Sequence, residues 1–182
     1  MLKKSVGFLA ALALLGFAVP THADAQGTTL YISGGGSFPT GTFGDYADTG
    51  WMIAGGAVFD IGTSGLGAGV DLFYGQNNHS YEGAESSEKT SPYGAMGFLQ
   101  YGFQTSGKLV PYVFGGAGVL VHRFSAEGFD SESDTQFGYQ FGAGLDFPVG
   151  GTTSLYVEGR YMGSSDTNYF AAMAGLAFGV GS

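Results

Sequence analysis

Beyond about residue 27 the chain alternates large apolar residues with small or polar ones at a period of two, with no helical period. The C-terminal segment shows this most clearly. Phe170, Ala172, Ala174, Leu176, Phe178 and Val180 share one face, and Tyr169, Ala171, Met173, Gly175, Ala177 and Gly179 the other. Over 135–147, Phe137, Tyr139, Phe141, Ala143, Leu145 and Phe147 oppose Gln136, Gly138, Gln140, Gly142, Gly144 and Asp146. Leu155, Val157 and Tyr161 oppose Tyr156, Glu158, Arg160 and Met162. Leu66, Ala68, Val70, Leu72 and Tyr74 oppose Asp71 and several glycines. The pattern predicts strands at 28–37, 51–60, 65–75, 92–104, 109–123, 135–147, 153–163 and 169–180. The fifth is apolar on both faces, so pattern alone does not say which face carries His122.

A soluble barrel would point its large apolar residues inward and cover the outside with charge, near the ~25–35% used for designed surfaces. Only 12% of this chain is charged, and the positions opposite the apolar face are mostly Gly, Ala and Gln. A lipid-facing exterior around a small, polar interior accounts for both faces. The expectation is an all-β, eight-stranded antiparallel up-and-down transmembrane β-barrel. Its narrow lumen explains the glycines on the strand faces opposite the apolar ones. Aromatic residues at strand ends (Tyr31, Trp51, Tyr74, Tyr93, Tyr112, Phe147, Tyr161 and Tyr169) are expected in two interfacial girdles.

The connections support the same topology. Links 61–64, 105–108 and 148–152 are short, links 38–50, 76–91 and 124–134 are long, and 164–168 is modest. Short inner turns alternating with longer outer loops are the rule in outer-membrane barrels. An even strand count places both termini on the inner side. Asp45, Asp48, Glu82, Glu85, Glu88, Glu127, Asp130, Glu132, Asp134 and Asp166 fall in the four outer loops, where water can solvate them.

The first 25 residues read as a cleaved signal peptide. Lys3 and Lys4 precede an apolar run from Val6 to Val19, and Ala23-Asp24-Ala25 has the small-x-small form of a cleavage site. The run is shorter than the ~20 residues of a spanning helix. The barrel domain is then 26–182. Its strong bases are Lys89, Lys108, Arg123 and Arg160; four bases less fourteen acids leave a formal charge of −10. Nucleic acid is excluded as a partner, because phosphate binding needs clustered Lys and Arg. With no cysteine there is neither a disulfide framework nor a thiolate metal site.

Three segments carry a family resemblance. Val110-Pro111-Tyr112-Val113-Phe114-Gly115-Gly116-Ala117-Gly118-Val119 pairs a Pro-Tyr start with Gly-x-Gly. Phe141-Gly142-Ala143-Gly144-Leu145-Asp146 and Leu155-Tyr156-Val157-Glu158-Gly159-Arg160-Tyr161 follow in order. Together they resemble the small outer-membrane β-barrel family related to the OmpA transmembrane domain. The resemblance implies residence in the outer membrane of Gram-negative bacteria, with outer-membrane lipids and the barrel assembly machinery as partners. That family usually ends on an aromatic residue; this chain ends Phe178-Gly179-Val180-Gly181-Ser182.

Candidate sites are few. Asp71, Asp146, Glu158 and Arg160 are the charges expected in the lumen, where Arg160 could pair with Asp71 or Glu158. They would either gate a narrow pore or fill the interior as satisfied pairs, and filling is the expectation because any small barrel interior must be polar and paired. His79-Ser80 with Glu82 has the residue types of a hydrolase, but no G-x-S-x-G elbow is present and the surrounding loop is rich in Asn, Ser, Glu and Gly. His122, beside Arg123, reads as an interfacial residue near the outer rim. The acidic run 127–134 (EGFDSESD) lacks the spacing of an EF-hand loop and reads as a solvated surface loop. Gly34-Gly35-Gly36 is followed by no helix and is no phosphate cradle. No catalytic residue, metal site or cofactor is expected. The leading functional expectation is a structural or surface-interaction barrel, ahead of a narrow porin-like channel and a lipid-modifying enzyme. The surface ligand is open.

Overall fold

The computed structural model describes residues 27–62, 65–80, 88–126, 128 and 130–180. The expected leader, Glu82, Glu85 and Glu127 lie outside the described residues. Eight antiparallel strands form one closed barrel in sequence order. They are β1 (Thr28–Thr40), β2 (Gly50–Asp60), β3 (Leu66–Asn78), β4 (Lys89–Gly102), β5 (Val110–Ser125), β6 (Glu132–Gly150), β7 (Thr153–Gly163) and β8 (Asn168–Val180). β1 pairs with β8 along its whole length, from Thr28↔Val180 to Thr40↔Asn168. Closure gives every strand two neighbours, so the backbone N–H and C=O groups are satisfied within the sheet, as a lipid environment demands.

The strand faces follow from alternation. The face bearing Leu30, Ile32, Ile53, Leu72, Leu99, Phe137, Phe141 and Leu155 points outward and bare, with Ile32 61% and Phe137 72% exposed. Exposed apolar side chains around an entire sheet are unfavourable in water and favourable in lipid. β5 resolves the face that pattern left open: Tyr112, Phe114, Leu120 and His122 are buried in the interior, while Val113 and Val119 are exposed.

Most strands reach further into the outer loops than expected. β3 and β4 continue pairing to Asn78↔Lys89, and β5 and β6 to Phe124↔Glu132. The acids Glu132 and Asp134 therefore sit on β6 rather than in a loop. The reason lies in the polar residues here (Asn77, Asn78, Thr90, Ser133), which pair as well as apolar ones once the strand has left lipid. The first outer link is also ordered by a 3-10 turn, Gly41–Asp45, whose Phe43 turns in over the barrel mouth.

Three of the expected girdle aromatics face the other way. Tyr31, Tyr112 and Tyr169 point into the lumen, Tyr112 and Tyr169 being buried there. A large ring near a strand end suits either side, and their alternation with Ser33, Phe114 and Met173 is what places them inside. Trp51, Tyr74 and Phe147 do face outward. Trp51 packs against Tyr74, and Tyr74 stacks on Tyr93, making one arc of a girdle.

Inside, the glycines make room for rings. Tyr112 and Phe114 on β5 lie opposite Gly144 and Gly142 on β6. A Cβ at Gly142 would stand 2.6 Å from the Phe114 ring, and one at Gly144 would collide with Tyr112. Each ring thus lies flat across a neighbouring strand's bare backbone, which is how so narrow a barrel holds so many aromatics.

Candidate functional site

The lumen is filled in three layers. Nearest the outer end is an apolar layer of Phe43, Met52, Phe73, Met96, Leu120, Met162, Tyr169 and Met173. Every methionine after Met1 lies in it. Their unbranched side chains fit the irregular space that rigid residues would leave void. A second apolar layer, nearer the termini, holds Val58, Phe98, Tyr112, Phe114, Tyr156 and Ala177, with Tyr31 against it.

Charge lies between these layers. Arg160 Nη1 lies 2.6 Å from Asp71 Oδ2, and Arg160 Nη2 lies 2.6 Å from Glu158 Oε1. Arg160 Nε also donates to Glu158 Oε1 at 2.7 Å. The second oxygen of each acid is held by a tyrosine. Tyr31 donates to Asp71 Oδ1 at 2.7 Å, and Tyr112 donates to Glu158 Oε2 at 2.9 Å. The guanidinium stands over the Phe114 ring, 5.6 Å from its centre. Arg160 is 2% exposed and Asp71 fully buried, so these bonds form out of contact with bulk water. Buried charges persist where each has partners on all sides, which is the case here.

Asp146 stands apart from this cluster. It lies half-buried on the inner face of β6 toward the terminal end, and its Oδ1 has no hydrogen-bond partner. It borders a cavity of about 60 Å³ that also touches Thr29, Gln100, Gln140 and Glu158. Gln140 Nε2 is likewise buried without a partner. A polar cavity of this size has room for a few bridging waters.

At the opposite end the barrel opens into a cup of about 520 Å³. Phe43, Tyr46, His79, Thr90, His122, Phe124 and Thr167 line it. His79 Nε2 and Thr90 Oγ1 are 2.9 Å apart, and His122 Nε2 and Thr167 Oγ1 2.5 Å. Burial lowers the His79 pKa, against the opposing pull of Glu88 and Asp48. The imidazole is thus biased toward its neutral form. Burial, with Asp166 adding to it, raises the Tyr46 phenol.

The residues 9–181 match the model of the outer membrane protein beta-barrel domain. The chain belongs to that family. It is an outer-membrane barrel, and the solved structures it resembles share its fold. The crystal structure of Neisserial surface protein A (NspA) superposes with a TM-score of 0.67 at 16% identity, covering 83% of this chain and 96% of that one. OprG from Pseudomonas aeruginosa gives 0.56 at 14% identity, covering 86% and 98%. Ail of Yersinia pestis, solved in complex with the heparin analogue sucrose octasulfate, gives 0.53 at 17% identity, covering 85% and 99%. No curated protein sequence matches.

In this outer-membrane barrel the sequence candidates therefore divide. Asp71, Glu158 and Arg160 meet in one cluster, and Asp146 does not join it. Ser80 Oγ donates to Asp48 at 2.5 Å, while His79 faces Thr90, so both residues help close the outer mouth. His122 is not interfacial: it lies inside the mouth, stacked on Tyr169 at 5.9 Å. Among the described residues no group of three His, Asp or Glu side chains is placed to hold a metal ion. The partners Tyr31 and Tyr112 escaped the sequence reading, as did the mouth residues Phe43, Tyr46 and Phe124. Parity on the inner face is the signal for the tyrosines; nothing local marks the mouth residues, two of which come from the first outer link and one from the end of β5.

Proposed function

We propose that this barrel is a non-conducting, non-enzymatic component of the outer membrane that acts through its outer end. The observation that supports this is the outer apolar layer of Met52, Met96, Leu120, Met162 and Tyr169, which stands between the mouth and the charge cluster. Ions do not cross such a layer, because it offers no hydrogen-bond partners to replace their water. Arg160 with Asp71, Glu158 and their partners Tyr31 and Tyr112 then acts as interior filling that fixes four strands together, not as a gate. The apolar belt engages outer-membrane lipids, and the assembly machinery is the partner during insertion. A polyanion of the kind bound to Ail suits the outer end poorly, since Asp48, Glu88, Asp134 and Asp166 surround it.

The second reading, a narrow channel, draws on the 60 Å³ cavity beside Asp146 and Glu158, which is a polar half-path from the terminal end. Uptake of a small sugar by proteoliposomes separates the two. The non-conducting reading expects swelling no faster than in protein-free vesicles; swelling that scales with protein content contradicts it.

A further inference from the structure

The cup at the outer mouth has walls of an unusual kind. Phe43, Tyr46, His79 and Phe124 form a continuous run of rings. Phe43 meets Tyr46 edge-on at 5.3 Å, Tyr46 meets His79 at 5.5 Å, and His79 meets Phe124 at 5.4 Å. His122 closes the far side beside Thr167. Phe43 is buried against Tyr169 as the floor, whereas Tyr46 and Phe124 are exposed to whatever enters.

Among the described residues the acids nearest these rings are Asp48, Glu88, Asp134 and Asp166, while Lys89 and Arg123 alternate onto the opposite strand face from Thr90 and His122. Asp48 and Glu88 lie near enough to act on His79, Asp134 and Asp166 on His122, and Asp166 on Tyr46. Asp134 is the cross-strand neighbour of His122. Ring faces carry partial negative charge and attract cations, most strongly where water is excluded. Acids around a concave mouth raise the local concentration of cations further. A neutral apolar guest would gain from the rings but not from the acids. An anion would be repelled by both.

We propose that the outer mouth is a binding site for a small organic cation, a quaternary ammonium or protonated amine. The cationic head would sit between Tyr46, His79 and Phe124, with the acids of the rim as its counter-charge. This rests on the reading of the outer end as the working surface of the barrel.

The test compares choline with its neutral isostere, 3,3-dimethylbutan-1-ol, in the folded protein in octyl glucoside at pH 8. The readout is the ring signals of His79 and His122 by NMR. Choline should shift both saturably, and the neutral isostere should bind roughly tenfold more weakly or less. Tyr46→Leu and Phe124→Leu should each weaken choline by several-fold. Both side chains are exposed, and retention of the heat-dependent gel shift checks that the variants still fold. Equal binding of the alcohol overturns the proposal in favour of a merely apolar cup. Choline binding that survives both substitutions overturns it in favour of diffuse attraction to the loops, and no shift with choline overturns it outright. Any of these results alongside an absence of solute uptake leaves the non-conducting reading standing.

Discussion

Arg160 and Asp71 are 89 residues apart in sequence, yet their side chains meet at 2.6 Å inside the barrel. Arg160 serves two carboxylates, so the substitutions should not be symmetrical. Arg160→Met strands Asp71 and Glu158 as buried like charges and should cost about 3–5 kcal/mol. Asp71→Asn leaves Arg160 paired with Glu158 and keeps an acceptor for Tyr31, so its cost should be clearly smaller. Urea unfolding midpoints in lipid vesicles rank the two.

Tyr112→Phe removes the one donor to Glu158 Oε2 while leaving the ring in place over Gly144. A hydrogen bond to a buried carboxylate is worth about 1.5–3 kcal/mol. The loss should appear in the same unfolding assay, and it should shrink when Glu158 is already Gln, because the bond then goes to a neutral acceptor.

The glycines divide by the face they occupy. Gly144→Val drives a side chain into the Tyr112 ring and should cost about 1–3 kcal/mol, as overpacking does. Gly97 faces outward with open space around its Cβ position. Gly97→Val should therefore be neutral or stabilising. The heat-dependent gel shift after refolding reads both.

Acid should loosen the outer mouth. The His79 pKa lies below its ordinary 6.5, because burial disfavours the imidazolium. The unfolded chain then binds more protons than the folded one as pH falls through this range, so folding loses stability. The contribution is complete above about pH 6.5 and is lost as the pH drops through the lowered value. Protection of the Ser80 amide, which donates to Tyr46 O at 3.2 Å, should fall over that window. His79→Gln should abolish the dependence.

Strand positions and facing were legible because lipid and lumen impose opposite demands on alternate residues. Phe137, Phe141 and Leu145 could be read as outward from that alone. Glu158 and Arg160 could be placed on one inner face from their spacing. Tyr31, Tyr112 and Tyr169 face the lumen because parity along the strand, not nearness to its end, decides the side a ring takes. The outer ends of β3 to β6 were cut short because hydrophobic alternation fades where the strands leave lipid, while backbone pairing continues. Phe43 and Tyr46 meet the rest of the mouth, Phe124 included, only through closure of the barrel, which no local pattern encodes.

If the apolar layer around Met96 and Met162 seals the lumen, the barrel passes no ions. Single-channel recording of the purified barrel in a planar lipid bilayer tests it most directly. A sealed lumen gives a current indistinguishable from the bare bilayer in about 1 M salt, which screens surface charge, with Arg160→Ala equally silent. Discrete conductance steps from the wild-type protein, altered by Arg160→Ala, would contradict it and make the charge cluster a gate.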